Sequence, residues 1–151
     1  MQLNDLMQLN DNTIITMTSK SNSVYRELCK RELSCYIDVL YVLLITLDDS
    51  FDANHENEFF KIGTTTVDRI EKRFTEHYYD FGKQNVIQVI NIYEIPHSKV
   101  EKNFHIWMNQ NKNSMCMDVD INGVKKRECY LYDVGTLEHL EFFLQLNNII
   151  M

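Results

Sequence analysis

Phe59-Phe60-Lys61-Ile62-Gly63-Thr64-Thr65 runs straight into Val67-Asp68-Arg69-Ile70-Glu71-Lys72-Arg73-Phe74-Thr75-Glu76-His77-Tyr78. The first part reads as a short apolar strand with a tight exit at Gly63, and the second as an amphipathic helix over roughly 66–81. A helix turns about 100° per residue, so Arg69, Arg73 and His77, spaced four apart, drift about 40° per step and form one stripe. Val67, Ile70, Phe74, Tyr78 and Phe81 fall on the neighbouring arc. The basic stripe therefore borders the buried face, where cleft-lining side chains sit. The plain alternative is a solvated helix face, the usual fate of charges at this spacing.

Working outward, Tyr36 to Thr46 is almost wholly apolar, aromatic or β-branched and reads as a central strand covered on both faces. The acidic stretch 48–58 that follows reads as a long solvated loop; it lacks the spacing and glycine of an EF-hand. Gly82 is a natural helix stop. Asn85 to Ile95 is the strongest strand signal, ended by Pro96. Ser98-Lys99-Val100-Glu101 matches a capping box and opens a helix that buries Val100, Phe104, Trp107 and Met108. Ser114 to Ile121 and Val124 to Tyr132 flank Asn122-Gly123, a strong hairpin signal. Thr136 to Leu146 is a last amphipathic helix. Upstream, Val24, Leu28 and Leu33 support a helix within residues 1–35, after a near-repeat of Met-Gln-Leu-Asn-Asp at positions 1 and 7 to which no function attaches. The expected class is α+β: a small central antiparallel sheet flanked by helices, with an N-terminal helix and a C-terminal β-hairpin plus helix. Residues 1–35 form an extension and 36–151 the domain.

At 151 residues the chain is long enough for a real core. Its net charge of −7 argues against indiscriminate nucleic-acid binding, which draws on phosphate neutralisation by Lys and Arg. A local basic cleft remains compatible, because fields depend on placement as well as on sum. The four cysteines, Cys29, Cys35, Cys116 and Cys129, lack paired zinc-site spacing. With no signal-like start and no long apolar run, they read as reduced thiols of a cytosolic or nuclear protein that is neither secreted nor membrane-bound.

Four segments in order, Leu40-Tyr41-Val42, Lys61-Ile62-Gly63, Ile70-Glu71-Lys72-Arg73-Phe74-x-x-His77 and Val100-Glu101-Lys102-Asn103-Phe104-His105, resemble the GIY-YIG nuclease superfamily. The closest branch is that of phages and large DNA viruses, whose second motif is often Lys-Ile-Gly. The resemblance covers about residues 38–110, and Arg127-Glu128-Cys129-Tyr130 is similar to a Glu-aromatic pair near that branch's end. It implies a phenol near the attacking water at Tyr41 and Lys61 where many relatives carry a second tyrosine. It further implies a turn-permitting Gly63, a catalytic Arg73 with Arg69 as alternate and Lys72 nearby for substrate, a histidine at His77, and a Glu101 that holds one Mg²⁺ or Mn²⁺. Tyr41 or Lys61 with His77 would take the proton of water.

Each residue also has a structural reading. Tyr41 packs in a strand, Lys61 snorkels, Glu101 completes a capping box, and His105 and His139 are surface or partly packed. Val39 replaces the first-motif glycine, the gap between the first two motifs is long, and the family's C-terminal asparagine has no clear counterpart. The implied activity is metal-dependent hydrolysis of structured or loosely specified DNA, with a protein partner or homodimer possible. The alternatives are a catalytically weak or inactive viral or phage binding or regulatory module of the same fold and an unrelated α+β interaction domain.

Overall fold

The apolar run after Tyr36 becomes the strand on which the molecule is built. The computed structural model describes residues 15–16, 37–47, 58–81, 86–121 and 124–150. Its strands are β1 (Ile15–Thr16), β2 (Asp38–Thr46), β3 (Glu58–Thr66), β4 (Val86–Ile95), β5 (Cys116–Ile121) and β6 (Val124–Leu131). They form one antiparallel sheet in the order β1-β4-β2-β3-β6-β5. The helices are α1 (Ile70–Asp80), α2 (Lys99–Asn111) and α3 (Val134–Leu146). This is the expected α+β arrangement of a central antiparallel sheet with helices and a C-terminal hairpin and helix. The expected N-terminal helix, the acidic stretch from 48 to 57, the stop at Gly82 and the turn at Asn122-Gly123 lie outside the described residues.

Because β2 has a paired strand on both sides and helices over both faces, its residues Val39 to Ile45 are all buried. Strand alternation then splits them between two cores. Val39, Tyr41, Leu43 and Ile45 pack with Ile70 and Phe74 of α1. Leu40, Val42 and Leu44 pack with Phe104 and Met108 of α2 and Leu140 and Leu144 of α3. Burial of each such side chain is worth about 1.5–3 kcal/mol, so the sheet is fixed from both sides.

Three sequence expectations are corrected. First, the strand of the decisive stretch does not end at Gly63: β3 continues to Thr66, and a 3₁₀ turn at Val67–Arg69 then leads into α1. Gly63 sits mid-strand opposite Tyr41, and a Cβ placed on it would lie 2.6 Å from Tyr41 Cζ. The glycine makes room for a phenol; it does not make a turn. Second, the capping box does not form. Ser98 has helical φ and ψ and no side-chain capping bond, and the backbone N–H of Glu101 donates to the Ser98 carbonyl. That leaves the Glu101 carboxylate free to turn along the helix. Third, the last helix begins earlier, because Asp133 accepts a hydrogen bond from the Gly135 N–H at 2.7 Å and caps it.

Candidate functional site

Pairing between β3 and β6 runs through Phe59, Phe60 and Lys61 against Leu131, Tyr130 and Cys129. On the other side of β6, Met117 pairs with Cys129 but Val119 with Lys126, so Arg127 and Glu128 together oppose Asp118. This is a β-bulge, and within it Glu128 has a positive φ of 63°. The bulge redirects the Glu128 side chain at the point where β6 leaves β3, and groups from both faces of the sheet approach one another there.

The first group belongs to the α1 face. Tyr41, fully buried, reaches over Gly63 and places its oxygen 2.6 Å from His77 Nε2. Arg73 donates from Nε to the same oxygen at 3.2 Å, and its Nη1 is 3.1 Å from Glu76. The guanidinium only donates, so the phenol oxygen accepts from it; in the His77 tautomer with a bare Nε2, the phenol's own proton points at that nitrogen. Burial pushes the Tyr41 phenol up to about 12, against the opposing pull of Arg73; Glu101 and Glu128 lie near enough to push it further up. Burial pushes His77 down to about 3, helped by the charges of Arg73 and Lys61. His77 is thus neutral and 3% exposed, and not the third member of a cationic stripe.

This has a consequence for folding. Unfolding returns His77 to its ordinary value near 6.5, so below that pH the unfolded chain binds a proton that the folded chain refuses until about 3. The stability contribution is complete above about pH 6.5 and falls as pH drops, by up to about 1.4 kcal/mol per pH unit. Denaturant titrations between pH 6.5 and 4 should show a shallower decline for His77→Gln than for the natural chain. Equal slopes would contradict the burial-driven shift.

The second group joins β3, β6 and α2. Lys61, 7% exposed, donates from Nζ to the Arg127 carbonyl at 2.7 Å and to Glu128 Oε2 at 3.1 Å. His105 Nε2 lies 3.1 Å from Glu101 Oε1 and 3.9 Å from Glu128 Oε2. The phenol of Tyr130, itself buried, hydrogen bonds to His105 Nδ1. Burial pushes the Glu128 carboxyl up, but Lys61, His105 and hydrogen bonds from Lys61 and Glu101 outweigh it and hold the group below its ordinary value. Glu101, His105 and Glu128 present ligand atoms all within 4.8 Å of one another and form a group able to hold a metal ion.

A cleft of about 350 Å³ opens beside the first group, lined by Asp38, Thr64 to Thr66, Arg69, Lys72, Arg73, Glu76 and Ser98. Arg69 and Lys72 are exposed, and Arg73 is half-buried. Tyr41, Arg73 and His77 therefore form one hydrogen-bonded set, Lys61 and Glu101 belong to the adjoining one, and Arg69 and Lys72 line the neighbouring cleft. His105 and Glu128 were not among the residues expected to act. The Glu-x-x-x-His spacing of Glu101 and His105, one helical turn, was a signal for the first; nothing in strand alternation reveals a bulge at the second.

No helix among the described residues is long and apolar enough to cross a membrane. Neither a curated protein nor a solved structure matches the chain. A family model does: the T5orf172 domain matches residues 38–144, a span that contains every side chain of both groups and of the cleft. The chain belongs to the T5orf172 domain family.

Proposed function

We propose that the chain is a metal-dependent DNA endonuclease of the GIY-YIG type. Membership of the T5orf172 family supports a nuclease or DNA-binding role. The observation that carries the finer reading is the Arg73–Tyr41–His77 chain, set beside two facing carboxylates.

The residues fit a divalent ion. Two ligand atoms on bonds of about 2.1 Å lie roughly 3.0–3.4 Å apart at ordinary angles and about 4.2 Å apart when opposite. The 3.1 Å separation of His105 Nε2 from Glu101 falls in the first range, and the 3.9 Å separation from Glu128 lies between the two. Glu101 and Glu128 would hold the ion, which when bound stabilises negative charge on phosphate oxygens.

The remaining work falls to side chains. Arg73 keeps N–H donors beyond those on Tyr41 and Glu76 and presents them to a phosphate in the cleft, where Arg69, Lys72 and the threonine hydroxyls add further donors. Against Asp38 and Glu76 in the same lining, the three cations leave the cleft with a small positive excess on a chain of net charge −7. Tyr41 is fully buried behind Arg73, so its part is to accept from the Arg73 Nε–H and fix the guanidinium at the cleft wall; a water that reaches its remaining lone pair enters past Arg73. In the resting site its proton stays on the phenol; a phosphate arriving beside Arg73 adds negative charge that raises the basicity of His77, the acceptor in line with it. Lys61 donates to the Arg127 carbonyl and to Glu128, so its role in this reading is to fix the Glu128 carboxylate.

Incubating the full chain with supercoiled and branched DNA, with Mg²⁺ or Mn²⁺ and with EDTA, tests the proposal. Cleavage that requires the ion and is lost in Glu101→Gln is expected. Salt-sensitive binding without cleavage would mark an inactive binding module instead.

A further inference from the structure

We propose that His105 is itself a metal ligand, through Nε2, and that the ion held here is a first-row transition ion such as Mn²⁺ in preference to Mg²⁺. The inference uses the preceding section only in taking a divalent ion to bind, and does not require that DNA be cut.

Three observations converge. The imidazole edge facing Glu101 and Glu128 carries Nε2, at 3.1 and 3.9 Å from their oxygens, so an ion touching both carboxylates meets the nitrogen as well. The far side of the ring is already engaged: Tyr130 hydrogen bonds to Nδ1 and is anchored by a ring contact of 5.7 Å with Phe104. In the ion-free site Nε2–H faces the Glu101 carboxylate. When an ion takes that proton's place, the tautomer whose Nδ1–H donates to the Tyr130 oxygen turns the Nε2 lone pair to the ion, the outer support that metal-bound histidines usually have. Finally, the two carboxylates are 15% and 37% exposed and have Lys61 as the fixed cation between β3 and β6. The two carboxyls also hydrogen bond to one another, and a divalent ion takes the place of the proton they share.

The ligand set decides the ion. Mg²⁺ prefers oxygen donors in a near-octahedral shell and keeps several waters. Imidazole suits first-row transition ions better than Mg²⁺, and the preference grows along the row; Mn²⁺ stands at its weak end and serves here as the paramagnetic representative. Lys61 acts here as a positioning residue, since its bonds to Glu128 and to the Arg127 carbonyl hold the bulged carboxylate in place.

The test uses the full chain without DNA and with Mn²⁺ or Mg²⁺ alone. Mn²⁺ bound to the natural protein should show ¹⁴N modulation in pulsed electron paramagnetic resonance, a readout that needs no variant. In calorimetric titrations, His105→Gln should lower Mn²⁺ affinity by about 10- to 100-fold, the scale of loss seen when even outer supports of a metal ligand are removed. Its Mg²⁺ affinity should stay close to that of the natural chain. Mn²⁺ bound without nitrogen modulation, equal losses for both ions, or no Mn²⁺ binding would each overturn the inference. Nitrogen-coupled Mn²⁺ without DNA cleavage would count against the nuclease reading alone, and cleavage without nitrogen coupling against this one alone.

Discussion

Arg73→Ala should lose DNA cleavage by about 10²–10³-fold, the usual effect of deleting one preorganised donor to a developing negative charge. Two losses combine at this residue. The phosphate in the cleft loses its planar fork, and the phenol of Tyr41 loses the Nε–H that fixes its proton toward His77. Arg73→Lys separates them, because it keeps a positive charge in the cleft but restores no fork. Its DNA affinity should remain near that of the natural chain while single-turnover cleavage stays depressed. Arg69→Ala, at an exposed position one turn earlier, should weaken binding and leave the rate of bound substrate nearly intact. A lysine variant that cuts at the natural rate would remove Arg73 from the proposed chemistry.

Gly63→Ala carries the second large effect, and its cause is purely steric. The backbone at Gly63 is outside the left-handed region, so alanine meets no conformational penalty there. The added methyl carbon would instead lie 2.6 Å from Tyr41 Cζ, and the ring has no slack, being fully buried with Phe74 edge-on at a centroid distance of 5.3 Å. Overpacking of this kind costs about 1–3 kcal/mol. Denaturant melts should record that loss, and cleavage should fall with it because the phenol is displaced from Arg73 and His77. Combining Gly63→Ala with Tyr41→Leu removes the clash, so the pair should destabilise less than the sum of the single changes. Activity should not return. Additive costs would mean that the strand shifts and the ring does not.

Much of this was legible in the chain. The apolar, β-branched run of β2 reads as a strand with cover on both faces, and the strip from Val67 to Phe81 reads as a helix burying one side; both hold in the structure. Tyr41 and Arg73 were found through motif order, and they do touch. What misled were features whose meaning depends on tertiary neighbours. Gly63 looked like a turn because local rules assign glycine to turns, whereas the demand on it comes from a side chain on the adjoining strand. Ser98 and Glu101 matched a capping spacing, yet His105 one turn on and Glu128 across the gap are better partners for that carboxylate. His77 was grouped with the cations because spacing carries no information on burial. Glu128 was visible only as part of a similar tetrapeptide, since a bulge is a property of two strands and neither alone encodes it.

The two-residue period of β3 makes this domain unequal in what it can tolerate over evolutionary time. Lys61 and Gly63 share the α1 side, and Phe60 and Ile62 the other. Loss or gain of one codon ahead of Lys61 within the strand would exchange the two sets, driving an ammonium into the hydrocarbon beneath α2 and a bulky side chain against Tyr41. Descendants of this gene can therefore diverge at the strand by replacement, one letter at a time, but a change of length there forfeits the core and the site together.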